Sequence, residues 1–178
     1  GNRVMMGAKQ ATQAMSLVNR EAPLVQVSTP GGNSTLEKAV GSWKTIKAPV
    51  AGTISSITKD TITLKGVDKK THKMSMYDDF PTNDKRGFLQ HEPVVKVGDK
   101  VKKGQLLADM NYTKDGTLAL GTNLRVGYLP MKGYNFEDGV VISRSASEKL
   151  ASEHLYKYDL QATIKIGLKI KPSEMSKL

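Results

Sequence analysis

The sequence lacks several features that support common kinds of chemistry. None of its 178 residues is cysteine, which excludes disulfide bonds and zinc sites built on thiolates. Its three histidines are scattered without the spacing of a metal site, and it contains no DxDxD-like cluster of aspartates. The single tryptophan, Trp43, has no second aromatic residue at the spacing of a base-stacking platform. No apolar run approaches the roughly 18 residues that a membrane-spanning helix needs.

Basic residues, in contrast, are abundant. Lysine and arginine number 27 against 17 aspartates and glutamates, which gives a net charge of +10. Such an excess suits a polyanionic partner, but a basic soluble protein or a piece of a larger, more acidic one would have the same composition. The length allows one domain or two small ones with a modest core.

The first segment, residues 2–19, is predicted to be a helix. Apolar side chains recur there at spacings of three and four, at Val4, Met5, Ala8, Ala11, Met15 and Val18. Pro23 ends this pattern, because the residue before a proline is pushed out of the α region. Residues 28–35 have the composition of a flexible loop.

Residues 48–110 are predicted to form short strands separated by glycine turns. Residues 53–57 and 61–64 are rich in β-branched side chains, and Gly98 and Gly104 mark later reversals. This pattern is typical of a hybrid of barrel and sandwich, and it also occurs in biotinyl and lipoyl carrier domains. A carrier displays its modified lysine on a tight hairpin, usually as Met-Lys-Met or Asp-Lys-Ala, and the nearest candidate, Lys73 between His72 and Met74, lacks the first of those neighbours. A carrier-like adaptor therefore remains as an alternative.

Two adjacent carboxylates, Glu137 and Asp138, form the most distinctive local feature. Strands are predicted at residues 124–129 and 139–142, and the turn residues between them are Pro130, Gly133 and Asn135. Because neighbouring carboxylates repel each other, the pair needs water or a cation nearby. A solvated acidic loop and an electrostatic element beside Mg²⁺ or a phosphate-bearing substrate are both compatible with this pattern. Beyond it, residues 143–151 are predicted to form a helix capped by Ser143, and residues 155–170 to supply strands.

The stretch LALGTNLRVGYLPMKGYNFEDGVVIS, residues 118–143, resembles the active-centre segment of the β subunit of bacterial-type multisubunit DNA-directed RNA polymerase. Residues 2–8, residues 20–25 and the β region with VKVGDKV and KGQLLAD resemble other parts of that subunit in the same order. Arg144 departs from the family, which commonly has glutamate there. A divergent polymerase, phage-encoded or otherwise specialised, is therefore expected.

The resemblance implies a mainly β fold with a few helices, made of a barrel-sandwich hybrid motif and part of a double-psi β-barrel. Four parts are expected in this order: an N-terminal helix and loop near the active centre (1–45), the barrel-sandwich hybrid (46–118), a double-psi β-barrel segment with the NFED turn (119–154), and the start of a flap-like region (155–178).

The same resemblance implies a fragment or split piece of the subunit that places the nucleoside triphosphate and the RNA 3′ end, and that is inactive alone. Arg3, Lys9 and Gln13 are the expected substrate-binding residues. Glu137 and Asp138 are expected near a second Mg²⁺, through water, while the catalytic metal ligands come from the partner chain.

The implied protein partners are a β′-type subunit and the other polymerase subunits. The implied ligands are template DNA, nascent RNA and nucleoside triphosphates. The resemblance further implies a bacterial or infected-host cytoplasm and no association with a membrane. The roles of two side chains are left undecided. Arg125 could contact nucleic acid or form a structural salt bridge, and Lys132 could serve as the counter-ion of the acidic pair. A stand-alone basic module that binds nucleic acid is a third possibility.

Overall fold

The computed structural model describes residues 7, 9–10, 13–14, 17–82 and 87–156. Within them the chain forms eleven short strands and two short helices outside the N-terminal segment. The helices are α1 (Leu36–Gly41) and α2 (Arg144–Lys149). The strands are β1 (Ile46–Lys47), β2 (Gly52–Ile57), β3 (Thr61–Gly66), β4 (Thr71–Ser75), β5 (Phe80–Pro81), β6 (Phe88–Leu89), β7 (His91–Pro93), β8 (Lys100–Val101), β9 (Leu106–Met110), β10 (Thr113–Lys114) and β11 (Thr117–Leu118). The prediction of a mainly β fold is confirmed.

The largest sheet has four antiparallel strands in the order β4-β3-β2-β8. Along these strands, side chains that face the core alternate with side chains that face outward, as the sequence pattern predicts. Ile54, Ile62 and Leu64 are buried on one face of the sheet, and polar residues lie on the other. A β-bulge at Ser55 interrupts the pairing of β2 with β3. Since the side-chain period is two, this alternation fixes which face packs on the core.

A second sheet, β1-β9-β7, packs its own apolar residues into the same core. Leu107 and Ala108 of β9 are fully buried there, beside Val95 and Val101. The two larger sheets of residues 46–110 thus surround one hydrophobic cluster, and a third sheet in this range pairs β5 with β6. Within the described residues no sheet closes into a barrel.

His91, at the start of β7, connects the core to the loop before β1. Its Nδ1 accepts a hydrogen bond from the backbone N–H of Tyr77 at 2.7 Å, and its Nε2 lies 2.9 Å from the carbonyl oxygen of Lys44. The ring stacks on that of Tyr77. These two hydrogen bonds match the neutral tautomer of the ring, in which Nε2 carries the hydrogen and donates while Nδ1 accepts. Burial lowers the pKa of this histidine.

The β10–β11 hairpin is anchored by the buried carboxylate of Asp109. Its Oδ1 accepts hydrogen bonds from the Thr113 hydroxyl (2.7 Å) and the Gly116 N–H (2.9 Å), and its Oδ2 accepts one from the Asp115 N–H (2.8 Å). Against this hairpin lies α1, whose Gly41 approaches the backbone so closely that a Cβ would stand 2.6 Å from the Leu118 nitrogen. Only glycine allows that contact.

Two predicted helices need correction, and one helix, α1, was not predicted. Of the helix predicted at residues 2–19, the described residues 7, 9–10 and 13–14 are helical, but Leu17 is already in a β-bridge with Ser152. No sequence signal had indicated α1, which is capped by the side chain of Thr35. The helix expected after Ser143 is present as α2 with Ser143 as its cap, but it ends at Lys149.

The strands predicted at residues 124–129 and 139–142 are wrong for the described chain. Both segments lack strand pairing there, because no neighbouring segment supplies the hydrogen-bonding edge that a strand requires. Their apolar side chains are exposed, with Val126 at 70%, Tyr128 at 97% and Val140 at 81%. Of the strands expected between residues 155 and 170, all but residues 155 and 156 lie outside the described residues, and those two are not in a strand.

Candidate functional site

The acidic pair lies on an arm, residues 123–149, whose two ends are held together by Glu21. The Glu21 carboxylate accepts hydrogen bonds from the backbone N–H and the side-chain amide of Asn123, at 3.0 and 2.9 Å, and from the Lys149 ammonium at 3.2 Å. The amide donors of Asn123, followed by Lys149, hold the pKa of Glu21 below its ordinary value. One carboxylate therefore joins the start of the arm to its end.

Backbone bonds reinforce this closure. Residues 17–23, here called the brace, pair with the chain just before and just after the arm: the N–H of Glu21 donates to the carbonyl of Gly121 (2.8 Å) and that of Val18 to the carbonyl of Ala151 (3.1 Å). Arg20 then ties the brace to the β-sheet body, because its guanidinium donates to the carbonyl of Thr113 and forms an ion pair with Glu92. The arm consequently leaves and returns at one fixed place.

At the far end of the arm, residues 130–139 form the acidic turn. Three successive backbone hydrogen bonds shape it, from Tyr134 to Met131, from Phe136 to Gly133 and from Gly139 to Phe136. Asn135 closes it from inside: its Oδ1 accepts from the N–H of Met131 at 2.8 Å, and its Nδ2 donates to the carbonyl of Leu129 at 2.7 Å. The turn residues identified in the sequence do have this role.

The backbone of the acidic turn is strained at two residues. Lys132 and Glu137 have φ angles of 50° and 55°, in the left-handed region that side chains other than glycine seldom adopt. Gly139 has no room for a side chain, since a Cβ would lie 2.7 Å from the carbonyl oxygen of Tyr134. Such conformations persist where the surrounding bonds determine them, and they often occur in functional loops.

Glu137 and Asp138 both point into solvent. Among the residues that the structure describes, neither carboxylate forms an ion pair or a hydrogen bond. The counter-ion role considered for Lys132 is therefore not observed here, and the exposed Arg125 likewise has no ion pair in this part of the chain. The acidic pair is open to a cation or to another macromolecule.

The donor chemistry of this turn suits a supporting contact to Mg²⁺ and not a complete site. Carboxylate oxygens are the ligands that Mg²⁺ prefers, but the ion takes six oxygens in near-octahedral geometry. In the described part of the chain, no three acidic or histidine side chains come together as a metal site. Two carboxylates on one turn can hold waters of a magnesium shell whose remaining ligands come from elsewhere.

Of the three substrate-binding residues predicted near the N-terminus, the structure describes two. Arg3 lies outside the described residues, while Lys9 and Gln13 are both helical and exposed. The chain that follows them enters the brace at Leu17, which is bridged to Ser152 beyond the end of the arm. The structure thus brings the base of that helical segment to the closing point of the arm.

The residues that hold this arrangement together were not found by sequence reasoning. Glu21 and Asn123 are 102 positions apart and Glu21 and Lys149 are 128 apart, so no local pattern connects them. A cavity of about 200 Å³ lies beside the same contacts. It is lined by Glu21, Pro23, Glu37, Leu118, Leu120, Gly121, Thr122 and Asn123.

Comparison with known families identifies the family of this chain. Residues 47–174 match the family model described as RNA polymerase Rpb2, domain 6, which covers more than half of the chain. The chain belongs to this family. As an Rpb2 domain 6 chain it is a piece of an RNA polymerase β-type subunit, and the resemblance in the sequence is confirmed.

Membership in the Rpb2 family assigns the chain to transcription, within a multisubunit DNA-directed RNA polymerase. The carrier alternative finds no support in the structure: Lys73 lies in the middle of β4, paired with Thr63, and not on a hairpin. Across the described ranges, no helix has the length and apolar character that crossing a membrane requires.

Proposed function

We propose that this chain is a fragment or split piece of a β-type subunit that helps to place the nucleoside triphosphate and the RNA 3′ end during template-directed RNA synthesis. It works with a β′-type subunit and the other polymerase subunits on template DNA and nascent RNA, in a bacterial or infected-host cytoplasm. The observation that carries this proposal is the acidic turn, which holds two unpaired carboxylates in solvent on a backbone fixed by Asn135 and Gly139.

In this proposal Glu137 and Asp138 orient water around a Mg²⁺ that is held mainly by the partner subunit. When bound, the metal offsets negative charge on the phosphates and the leaving group. This chain's contribution is positional, since the fixed backbone of the turn determines where the two carboxylates stand when they contact the metal's water shell. The isolated chain is accordingly expected to be inactive.

Arg3, Lys9 and Gln13 complete the proposed substrate contacts. A guanidinium at Arg3 offers two parallel hydrogen bonds to phosphate oxygens, a geometry that lysine does not provide. Lys9 would add a point charge at a phosphate, and Gln13 would contact the RNA backbone. Residues 46–118 form the proposed structural body, while 1–45 and 119–154 supply these contacts and 155–178 begin a flap-like region.

The exposed apolar residues of the arm also support an assembled state. Tyr128 precedes the acidic turn, Phe136 lies within it and Val140 follows it, and all three side chains are exposed. Clustered exposed apolar side chains usually mark contact with other polypeptide. We infer that the arm packs against polymerase segments beyond this chain, which would complete the double-psi β-barrel expected from the sequence.

The Mg²⁺ dependence of RNA extension tests the proposal. In the assembled polymerase, the double variant Glu137→Gln/Asp138→Asn should raise the Mg²⁺ concentration for half-maximal rate about 3- to 10-fold, as expected for losing one or two water-mediated contacts. The rate at saturating Mg²⁺ should stay close to that of the unmodified enzyme.

The matched control is Asp60→Asn/Glu153→Gln, which removes the same charge from two exposed positions outside the arm. It should leave the Mg²⁺ dependence unchanged. An unaltered Mg²⁺ dependence in the arm variant, or an equal shift in the control, would refute the proposed role.

A further inference from the structure

The outer face of the four-stranded sheet has an unusual composition. Opposite the core-facing residues of β2, β3, β4 and β8, the outward side chains are all hydroxyls or lysines. They are Thr53, Ser56, Thr61, Thr63, Lys65, Thr71, Lys73, Ser75 and Lys100. None of these nine is acidic, aromatic or aliphatic, and this set is here called the hydroxyl–lysine face.

The strand register arranges this face in rows. One row runs Thr71, Lys65, Thr53 and Lys100 across all four strands, and the next contains Lys73, Thr63 and Ser56. With neighbouring strands ~4.8 Å apart, Lys65 and Lys100 are roughly 10 Å apart across the row. Lysine is often used to protect edge strands, which accounts for Lys73 on β4 but not for Lys65 on an inner strand.

The charge around the face is strongly one-sided. Residues 52–75 and 96–103, which contain these strands and their turns, hold nine lysines and three aspartates, and therefore six of the chain's ten net positive charges. Two of those aspartates are engaged locally: Asp68 accepts from the Lys70 N–H and pairs with His72, and Asp99 accepts from the Lys96 N–H. The surface thus presents ammonium and hydroxyl donors together.

We propose that the hydroxyl–lysine face binds the phosphate backbone of a nucleic-acid duplex. Lysine ammoniums and serine or threonine hydroxyls are groups that donate to phosphate oxygens and fix a protein on a duplex without reading its sequence. Binding of single strands relies on aromatic side chains that stack on bases, and this face has none. The site lies on the sheet body and does not depend on the role proposed for the acidic turn.

Salt-dependent binding of the full 178-residue chain to a 20-base-pair DNA duplex of arbitrary sequence tests this inference. Each lysine–phosphate contact contributes ~0.9 to the slope of log K against log salt concentration on duplex DNA. The triple variant Lys65→Gln/Lys73→Gln/Lys100→Gln should lower the magnitude of that slope by roughly 2 to 3 units. Lys65→Arg/Lys73→Arg/Lys100→Arg should retain it.

A matched variant, Lys38→Gln/Lys47→Gln/Lys114→Gln, removes three exposed lysines outside this sheet. Its slope should change by less than about 1 unit, since those positions do not contact the duplex. Equal losses in both glutamine variants would overturn the proposal, because the effect would then be one of overall charge.

Two other results would also overturn it: no measurable binding to the duplex at low salt, or tighter binding to a single strand of the same sequence and length. A failed acidic-turn experiment leaves this test intact, because the binding assay requires no polymerase activity. The variants replace exposed side chains, so unchanged circular dichroism spectra are expected for all of them.

Discussion

Removing the Asp109 carboxylate should destabilise the protein substantially, and the structure allows the cost to be worked out bond by bond. Asp109 is only 3% exposed and accepts three hydrogen bonds from the β10–β11 hairpin. In Asp109→Ala the buried Gly116 N–H loses its acceptor, at a cost of about 1–3 kcal/mol. The Thr113 hydroxyl can turn to the carbonyl of Met110, and the Asp115 N–H, which is part-buried in an exposed residue, can reach water, so each adds less.

The expected total for Asp109→Ala is about 2–4 kcal/mol. Asp109→Asn should cost about 1–2 kcal/mol, because the amide oxygen can still accept from Gly116 and Thr113 while its NH₂ faces the N–H of Asp115. Urea unfolding followed by circular dichroism measures both values.

Asp115→Asn serves as the matched control, since it makes the same chemical change in the turn of the same hairpin, at an exposed residue with φ of 53°, which asparagine tolerates. Its effect should stay within about 0.5 kcal/mol. The reasoning fails if Asp109→Ala costs no more than this control, or if the asparagine and alanine variants at Asp109 are equally unstable.

Two further predictions concern a buried histidine and a crowded glycine. Because the folded protein lowers the pKa of His91, the unfolded chain binds its proton first; the stability present above pH ~6.5 should therefore decline as the pH falls below that value. His91→Gln should flatten this part of the pH profile in urea unfolding, and an unchanged slope would contradict the assignment. Gly139→Ala should displace the acidic turn, because its Cβ would meet the carbonyl of Tyr134. In the assembled enzyme it should impair extension at low Mg²⁺ at least as much as neutralising the carboxylates, and full activity would show that the turn's shape is unimportant.

The body of the fold follows closely from the sequence. Alternating apolar residues and glycine turns predicted β2 and β3 almost to their observed bounds, because local alternation alone decides which face of a strand is buried. Helix α2 and its Ser143 cap were also predictable, since capping depends on residues within one turn.

Prediction failed where structure depends on distant partners. Residues 124–129 and 139–142 have strand-like composition, but a strand also needs an edge to pair with, and none is present in the described chain. Glu21, two positions before Pro23, shows no functional pattern in the sequence, although it closes the whole arm through Asn123 and Lys149. The local shape of the acidic turn was foreseeable from its turn residues, whereas the attachment of the arm's base to the brace was not.

The most direct measurement of the central claim is the distance between the acidic turn and the reactive magnesium. In the assembled polymerase, Fe²⁺ substituted for Mg²⁺ reacts with added hydrogen peroxide to give Fe³⁺, hydroxide and hydroxyl radicals, which cut mainly the polypeptide close to the metal. Our account predicts cuts in this chain within or next to residues 130–139, suppressed by excess Mg²⁺ and weakened in the Glu137→Gln/Asp138→Asn variant. Cleavage confined to other subunits, or in this chain only within residues 46–118, would contradict it.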